Sequence, residues 1–212
     1  MRLTSVVIGA ILGMGMLAAP AFGEEARLRE AVRQLPVTRE TNAGYDREKF
    51  DHWVDVDGDC EDTRAEVLIT ESRVETTGGC TIETGEWFSY YDQETWTDAS
   101  DVDIDHLVPL AEAWGSGAKR WTNGTRKRFA NDLRDMRALA AVTDNVNQSK
   151  GAQDPSEWMP QFGTCRYVRE WVAIKLRWDL KVNRVEKRHL RDLADGCRNR
   201  TLRWRPAMVA YR

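Results

Sequence analysis

The spacing of apolar and polar positions predicts helices and short strands in the first half of the chain. Residues 24–35 have the amphipathic pattern of a helix that ends at Pro36, and residues 37–51 are polar enough for a linker. Residues 64–72 fit either a helix or a strand. Residues 73–96 carry β-forming side chains between two glycine-bearing turns, which predicts short antiparallel strands.

The second half of the chain predicts further short elements and then two long helices. The short elements are a strand, two helices, a second strand and a third helix, over 102–108, 110–114, 126–133, 138–142 and 144–150. Pro109 ends the first of these strands, and Asp144 caps the third of these helices. The long amphipathic helices cover 165–180 and 184–197. This mixture predicts an α+β fold.

The first 23 residues predict a secretory signal peptide. Arg2 precedes an apolar run, and small side chains end at Gly23 before two glutamates. Residues 24–212 then form one domain of ordinary size, with a helix and linker over 24–51. The apolar run is short and interrupted by glycines, so we expect a secreted protein without a membrane segment, and an uncleaved anchor is the alternative.

Four cysteines follow the leader, and an even count in an exported chain predicts two disulfides. Three pairings are possible. Cys165 opens the first of the long helices and Cys197 closes the second, so an antiparallel helix pair brings them together. Cys60 is then left with Cys80, across a strand and a glycine turn. No CxxC spacing supports a zinc site.

The two halves of the chain have opposite charge. Residues 24–105 hold 8 Lys and Arg against 23 Asp and Glu, a net charge of −15, whereas residues 106–212 hold 22 against 11, a net charge of +11. One explanation is that the halves neutralise each other in the fold. The other is a basic face for a polyanion, with acidic groups gathered around a cation.

One of the three histidines has a context that points to chemistry. His52 lies in an acidic linker and His189 in a basic helix, and both fit surface positions. His106 follows Asp105 inside an apolar strand, where a hydrogen-bonded core histidine is the alternative. Three amide side chains and a lysine crowd residues 144–150, which are poor material for a hydrophobic core.

These segments resemble the HNH, or ββα-metal, endonucleases. An Asp-His-x-Val-Pro box at 105–109 is followed about 40 residues later by Asn-x-x-Lys at 147–150. The series, which runs from about 45 to 180, is similar to small exported bacterial nucleases related to the C-terminal nuclease domain of GmrSD-type restriction enzymes. The resemblance implies a ββα-metal core with short antiparallel strands and a C-terminal helical pair.

The resemblance also implies roles for individual residues. His106 matches the general base, and Asp105 and Asn147 match the metal ligands. Carboxylate and amide oxygens suit one Mg²⁺ or Mn²⁺ ion. Lys150 is expected to neutralise the substrate phosphate. Arg64 lies in a stretch that faces the active site in the family, although a structural ion pair is equally compatible with it.

Some points of the site stay open. In an ideal strand, Asp105 and His106 point to opposite faces. The segment 135–138 lacks the asparagine that steadies many HNH sites, so a backbone carbonyl is a candidate to orient His106. Whether Asn145 or Glu112 joins the site is also undecided.

An acidic segment offers a competing interpretation. Asp55, Asp57 and Asp59, with Glu66 at the twelfth position, have the oxygen spacing of a calcium loop, but the glycine stands at position four instead of six. A solvated acidic loop fits this segment better than an EF-hand.

Two functions therefore follow from the sequence. The first is a secreted, monomeric, metal-dependent endonuclease that hydrolyses phosphodiester bonds of nucleic acid, DNA rather than RNA, with little sequence specificity. The second is a non-enzymatic secreted module that binds Ca²⁺ or a cell-surface polymer through the same charge asymmetry.

Overall fold

The computed structural model describes residues 23–212, so the signal peptide predicted for 1–23 lies outside the described residues except for Gly23. The elements in chain order are β1 (Glu24–Arg27), α1 (Leu28–Gln34), α2 (Thr63–Glu71), β2 (Thr84–Phe88), β3 (Thr95–Asp98), β4 (Val102–His106), α3 (Leu110–Ser116), α4 (Asn123–Ala130), β5 (Leu139–Thr143), α5 (Asp144–Lys150), α6 (Thr164–Arg177), α7 (Arg184–Gly196) and β6 (Thr201–Trp204). Among these residues no helix has the length and apolar character to cross a membrane. The predicted α+β class is confirmed.

The strands pair as three separate two-stranded antiparallel sheets, β1 with β6, β2 with β3, and β4 with β5. In the third sheet Val102 lies opposite Thr143 and His106 lies opposite Leu139. Every residue of β5 is buried, which explains its continuous apolar sequence. Helix α5 follows β5 directly and runs in the same direction as β4, since Asn147 contacts Asp103 and Lys150 contacts Asp105.

The N-terminal prediction was wrong in one part. Residues 24–27 were expected to start a helix, but they form β1 and pair with β6, with Glu24 opposite Trp204. The helix itself covers only Leu28–Gln34, where Leu28, Ala31 and Val32 are buried. The strand partner is far away in the sequence, so local periodicity carries no sign of it.

Two other boundaries differ for local reasons. Helix α3 continues through Gly115 and ends at Gly117, whose φ of 148° lies where glycine is favoured. Helix α4 begins at Asn123, earlier than predicted, because the Thr122 side chain accepts a hydrogen bond from the Thr125 amide and caps the helix.

The C-terminal helical pair is confirmed as α6 and α7. Both predicted disulfides are formed, Cys60 with Cys80 and Cys165 with Cys197. In the chain-entropy description each crosslink stabilises the fold by about 3 kcal/mol, because it restricts the unfolded chain. The second crosslink joins the start of α6 to the end of α7, as the antiparallel packing required.

Candidate active site

Strand β4 ends with two buried ionisable residues on opposite faces. Asp105 is 5% exposed and His106 is 6% exposed. Asp105 faces α5, whereas His106 faces Trp53 and the end of α4. The alternation follows from the two-residue period of a strand. The two residues therefore meet different partners although they are adjacent in sequence.

Both oxygens of Asp105 accept hydrogen bonds from buried donors. Oδ1 lies 2.7 Å from Nζ of Lys150, and Oδ2 accepts a 2.6 Å bond from the Tyr91 hydroxyl. Burial raises the pKa of Asp105 and lowers the pKa of Lys150, and the attraction between the two groups opposes both shifts. Tyr91 has no feature in the sequence that distinguishes it from the other aromatic residues.

Lys150 was expected to face the substrate phosphate, but the structure places it inside the protein. Its side chain is fully buried, and Nζ also donates a 3.1 Å hydrogen bond to the carbonyl oxygen of His106. The ammonium group thus holds the last turn of α5 against the last residues of β4. Contact between this group and a phosphate would require the ion pair with Asp105 to open.

A backbone carbonyl fixes the ring of His106. Nε2 lies 2.8 Å from the carbonyl oxygen of Ala130. A carbonyl only accepts hydrogen bonds, so Nε2 carries the ring proton and Nδ1 keeps its lone pair. Burial lowers the pKa of His106 to about 3, so the imidazole is neutral at physiological pH. The neutral ring keeps a lone pair on Nδ1, and the lowered pKa makes it a weaker base than a histidine in water.

The position of Ala130 explains why its carbonyl is free for this bond. It is the last residue of α4, and carbonyls in the last turn of a helix have no partner within that helix. The preceding Phe129 packs edge-on against Trp121 and Trp178, with ring centroids 5.6 Å and 5.4 Å away. This aromatic cluster holds the end of α4, and through it the orientation of His106.

Trp53 covers the ring of His106. The two rings stack with centroids 5.2 Å apart and an angle of 28° between their planes. Trp53 has a φ of 55°, in the left-handed region that bulky residues avoid. Such a conformation costs about 1–3 kcal/mol and persists only where the surrounding contacts impose it. Sequence reasoning missed Trp53, since neither the stacking nor the backbone angle leaves a local pattern.

Asn147 lies against Asp103. Its Nδ2 donates a 3.1 Å hydrogen bond to Oδ2 of Asp103. Asp103 and Asp105 are two residues apart and share one face of β4, so the period of the strand could have identified Asp103. The predicted pair of Asp105 and Asn147 thus lies on the face of β4 that packs against α5, and the Asp103 side chain contacts the Asn147 amide there.

Arg64 is placed beside the start of β4. Its guanidinium group donates hydrogen bonds to the carbonyl oxygens of Ala99 and Val102, at 3.0 Å and 3.2 Å. These bonds link α2 to the segment that leads into β4. Arg64 thus supports the strand, while the predicted general base lies at the other end of it.

Asn145 and Glu112 lie apart from this arrangement. Asn145 is exposed, and it points about 200° around α5 from Asn147. The carboxylate of Glu112 is hydrogen-bonded to the ammonium group of Lys175. Neither residue contacts Asp105 or His106 through a hydrogen bond among residues 23–212.

Lys175 is the centre of a second buried cluster. Its Nζ bonds to Glu112, lies 2.9 Å from Glu186 Oε1, and lies 4.0 Å from Glu40 Oε1. Burial raises the pKa of Glu40 to about 7 and that of Glu186 to about 8. The same carboxylates raise the pKa of Lys175. This cluster has more acidic groups than cations, and it joins the N-terminal segment to α3, α6 and α7.

The acidic segment before α2 is an exposed loop. Carboxylate oxygens of Asp55, Asp57 and Asp59 lie within 4.8 Å of one another. The Asp55 carboxylate accepts bonds from the amides of Gly58 and Cys60, at 2.7 Å and 3.0 Å. The loop is closed by its own backbone donors, in agreement with the prediction of a solvated acidic loop.

The donors near α5 are suitable for a hard divalent cation. Because Nδ2 of Asn147 is bonded to Asp103, the amide oxygen Oδ1 is the end that remains available. An ionised carboxylate has about four lone-pair positions, so Lys150 and Tyr91 leave acceptor capacity on Asp105. An oxygen-only set of carboxylate and amide ligands is what Mg²⁺ and Mn²⁺ prefer.

Comparisons with known proteins identify the family of this chain. The family described as "GmrSD restriction endonucleases, C-terminal domain" matches residues 61–193. A protein of Arthroderma benhamiae, described as an "Uncharacterized secreted protein", is 48% identical over 157 residues, which are 73% of this chain and 76% of that protein. No solved structure matches the chain. The region that matches the family includes β4, β5 and α5, whereas Trp53 and Glu40 precede it.

Proposed function

Because the chain belongs to the family of the C-terminal domain of GmrSD restriction endonucleases, we propose that it is a secreted, metal-dependent endonuclease. It hydrolyses phosphodiester bonds of nucleic acid, with DNA as the favoured substrate and little sequence specificity. The observation that carries the proposal is the geometry of His106, whose Nε2 is tied to a carbonyl and whose Nδ1 keeps its lone pair.

His106 acts as the general base. Its Nδ1 accepts a proton from the attacking water, and a neutral imidazole is the form that can do so. The carbonyl of Ala130 keeps the ring in one tautomer, and Trp53 shields one face of the ring from solvent. The two contacts hold the base in a single orientation, which is the condition for efficient proton transfer.

Asp105 and Asn147 would hold the divalent cation, Mg²⁺ or Mn²⁺, in a ββα-metal core formed by β4, β5 and α5. The cation supplies positive charge for the phosphate and the leaving oxygen. Lys150, which was expected to bind phosphate, instead balances the charge of Asp105 and anchors α5. Its hydrogen bond to the main-chain carbonyl of His106 ties α5 to the end of β4. Because Asp105 and the His106 ring lie on opposite faces of β4, a phosphate that both residues serve has to lie at this end of the strand.

Charge and disulfides support the substrate and the location. Residues 106–212 carry a net charge of +11, which favours contacts with phosphate groups, and such contacts carry no base information. Two disulfides are typical of exported proteins, and the relative from Arthroderma benhamiae is described as secreted. The alternative of a non-enzymatic Ca²⁺-binding or polymer-binding module gains nothing from the acidic loop, which its own amides close.

Nicking of a supercoiled plasmid tests the proposal. Purified residues 24–212 should cut the plasmid with Mg²⁺ or Mn²⁺ and lose the activity in excess EDTA. His106→Ala should reduce the rate by at least about 10²-fold, the usual contribution of a general base. His189→Ala, which changes a histidine on α7, is the matched control and should keep the activity. Equal cutting with EDTA, or a folded His106→Ala protein of full activity, would contradict the proposal.

A further inference from the structure

We propose that Asp103 is a positioning residue that turns the amide oxygen of Asn147 toward the cation. The inference rests on the proposed function, since it concerns the site that the cation would occupy. Asp103 was not among the predicted site residues. Three features of the structure carry the inference: the register of α5 on β4, the chemistry of an amide beside a carboxylate, and the different partners of Asp103 and Asp105.

Two side-chain contacts join α5 to β4 in the same order along both elements. Asp103 bonds to Asn147, and Asp105 bonds to Lys150. Positions two apart share a face of a strand, and positions three apart share a face of a helix. Two residues span about 6.6 Å along a strand, and three residues span about 4.5 Å along a helix. The helix is therefore held in one register, with Asn147 opposite Asp103.

A carboxylate determines which end of a neighbouring amide faces it. An ionised carboxylate only accepts hydrogen bonds, whereas an Asn side chain has an NH₂ donor at one end and an oxygen acceptor at the other. Asp103 therefore holds Nδ2 of Asn147, and Oδ1 is directed elsewhere. Without this acceptor the amide can rotate and present its NH₂ group, which repels a cation.

The two carboxylates differ in their charge partners. Asp105 forms an ion pair with the buried Lys150, so its charge is balanced within the protein. The salt bridges found among residues 23–212 include none at Asp103. Asp103 is also less buried than Asp105. Its carboxylate therefore holds the amide of Asn147, whereas the carboxylate of Asp105 holds Lys150 and Tyr91.

Two substitutions at one position separate orientation from charge. Asp103→Asn removes the charge but keeps an oxygen that can accept from Nδ2 of Asn147. Asp103→Ala removes both. We expect Mn²⁺ affinity, measured by isothermal titration calorimetry on residues 24–212, to fall roughly 10- to 100-fold for Asp103→Ala, the usual effect of removing an outer-shell partner. Asp103→Asn should stay within about threefold of the wild type.

Asp101→Ala is the matched control, because it removes a carboxylate at a nearby position on the same segment. It should leave the Mn²⁺ affinity unchanged. Unchanged affinity in Asp103→Ala would overturn the inference. An equal loss in Asp103→Asn and Asp103→Ala would also overturn it, since the charge of Asp103 would then act on the cation directly.

A second readout needs neither metal nor substrate. The side-chain NH₂ signals of Asn147, assigned by their loss in Asn147→Ser, should exchange slowly with solvent in the wild type and in Asp103→Asn. They should exchange fast in Asp103→Ala, and equal exchange in all three proteins would contradict the orienting bond. A wild type that binds no Mn²⁺ refutes the proposed metal site and the inference with it. Mn²⁺ binding that is insensitive to Asp103→Ala refutes the inference alone.

Discussion

Two lysines are fully buried in this protein, and their surroundings differ in charge. Lys150 meets one carboxylate, that of Asp105, so the pair is electrically balanced. Lys175 lies among three carboxylates. Burial lowers the pKa of Lys150, whereas the surplus of acidic groups raises the pKa of Lys175. Burial lowers the pKa of both ammonium groups, and the three carboxylates around Lys175 outweigh that effect whereas the single carboxylate beside Lys150 does not.

The Lys150–Asp105 pair belongs to the proposed active site, whereas the Lys175 cluster has a structural role. The balanced pair lies beside His106 and joins β4 to α5. The second cluster has a surplus of acidic groups, and burial raises the pKa of Glu40 to about 7 and that of Glu186 to about 8. It connects distant segments of the chain, so its disruption should affect stability more than chemistry.

The largest effect is expected from Lys175→Met, which removes the cation that Glu40, Glu112 and Glu186 surround. Breaking a buried ion pair costs about 3–5 kcal/mol of stability. We expect the upper end of that range because more than one carboxylate loses its cation. Urea unfolding at pH 7 measures it. Lys127→Met is the control, since its 2.7 Å pair with Asp51 is at the surface, where such pairs contribute about 0–1 kcal/mol. An equal loss of unfolding free energy in Lys175→Met and Lys127→Met would refute the prediction.

Lys150→Met should cost less, about 3 kcal/mol, because only Asp105 loses its partner and Tyr91 still donates to it. The measurement is again urea unfolding at pH 7. Replacing both members, with Lys150→Met and Asp105→Leu together, should recover part of the loss, since no unpaired charge then remains. A double variant less stable than Lys150→Met would show that packing, and not charge balance, sets the cost.

A pH-dependent effect distinguishes the surplus cluster. The pKa of Glu186 rises from 4.5 to about 8 in the fold, so the folded state keeps a proton that the unfolded state has lost. This contribution to stability is complete below pH 4.5 and disappears as the pH rises through about 8. Glu186→Gln, which is always neutral, should therefore gain roughly 2–4 kcal/mol relative to the wild type between pH 5 and pH 8. Urea unfolding across this pH range measures the difference, and the same pH dependence of stability in both proteins would contradict the prediction.

The smallest effect concerns two tyrosine hydrogen bonds, one to the buried Asp105 beside Lys150 and one to Glu170 outside both lysine clusters. Tyr91→Phe removes the hydroxyl that binds the buried Asp105, and should cost about 1.5–3 kcal/mol as a bond to a charged group. Tyr90→Phe removes a 3.0 Å bond to Glu170, a carboxylate closer to solvent, and should cost about 1 kcal/mol or less. Thermal unfolding of the two variants gives the comparison, and a reversed order would contradict it.

The strands and the helix of the candidate site could be predicted because each has its own pattern of apolar residues or its own capping residue. Residues 102–108 and 138–142 have strand patterns, and Asp144 follows with a helix start, so β4, β5 and α5 were found within a few residues. The Cys165–Cys197 disulfide was predicted from the two ends of an antiparallel helix pair, and Cys60 with Cys80 was the pair that remained. By contrast, β1 depends on pairing with β6, which lies more than 170 positions away along the chain.

The contacts of the site were less accessible to sequence reasoning. Lys150 looked like a phosphate ligand because lysines are usually exposed, and its burial depends on Asp105 across the helix–strand interface. The carbonyl of Ala130 has no side-chain signature at all. Asp103 was the one missed residue with a readable signal, since it is two positions before Asp105.

The stacking of Trp53 on His106 limits how the protein can be stabilised by engineering. A non-glycine residue with a positive φ is an ordinary target for substitution by glycine, which accepts that backbone angle without strain. At position 53 the substitution would relax the chain but remove the indole that lies on His106. The left-handed turn therefore cannot be improved by the usual replacement, and a more stable variant has to keep the strained tryptophan and gain its stability elsewhere.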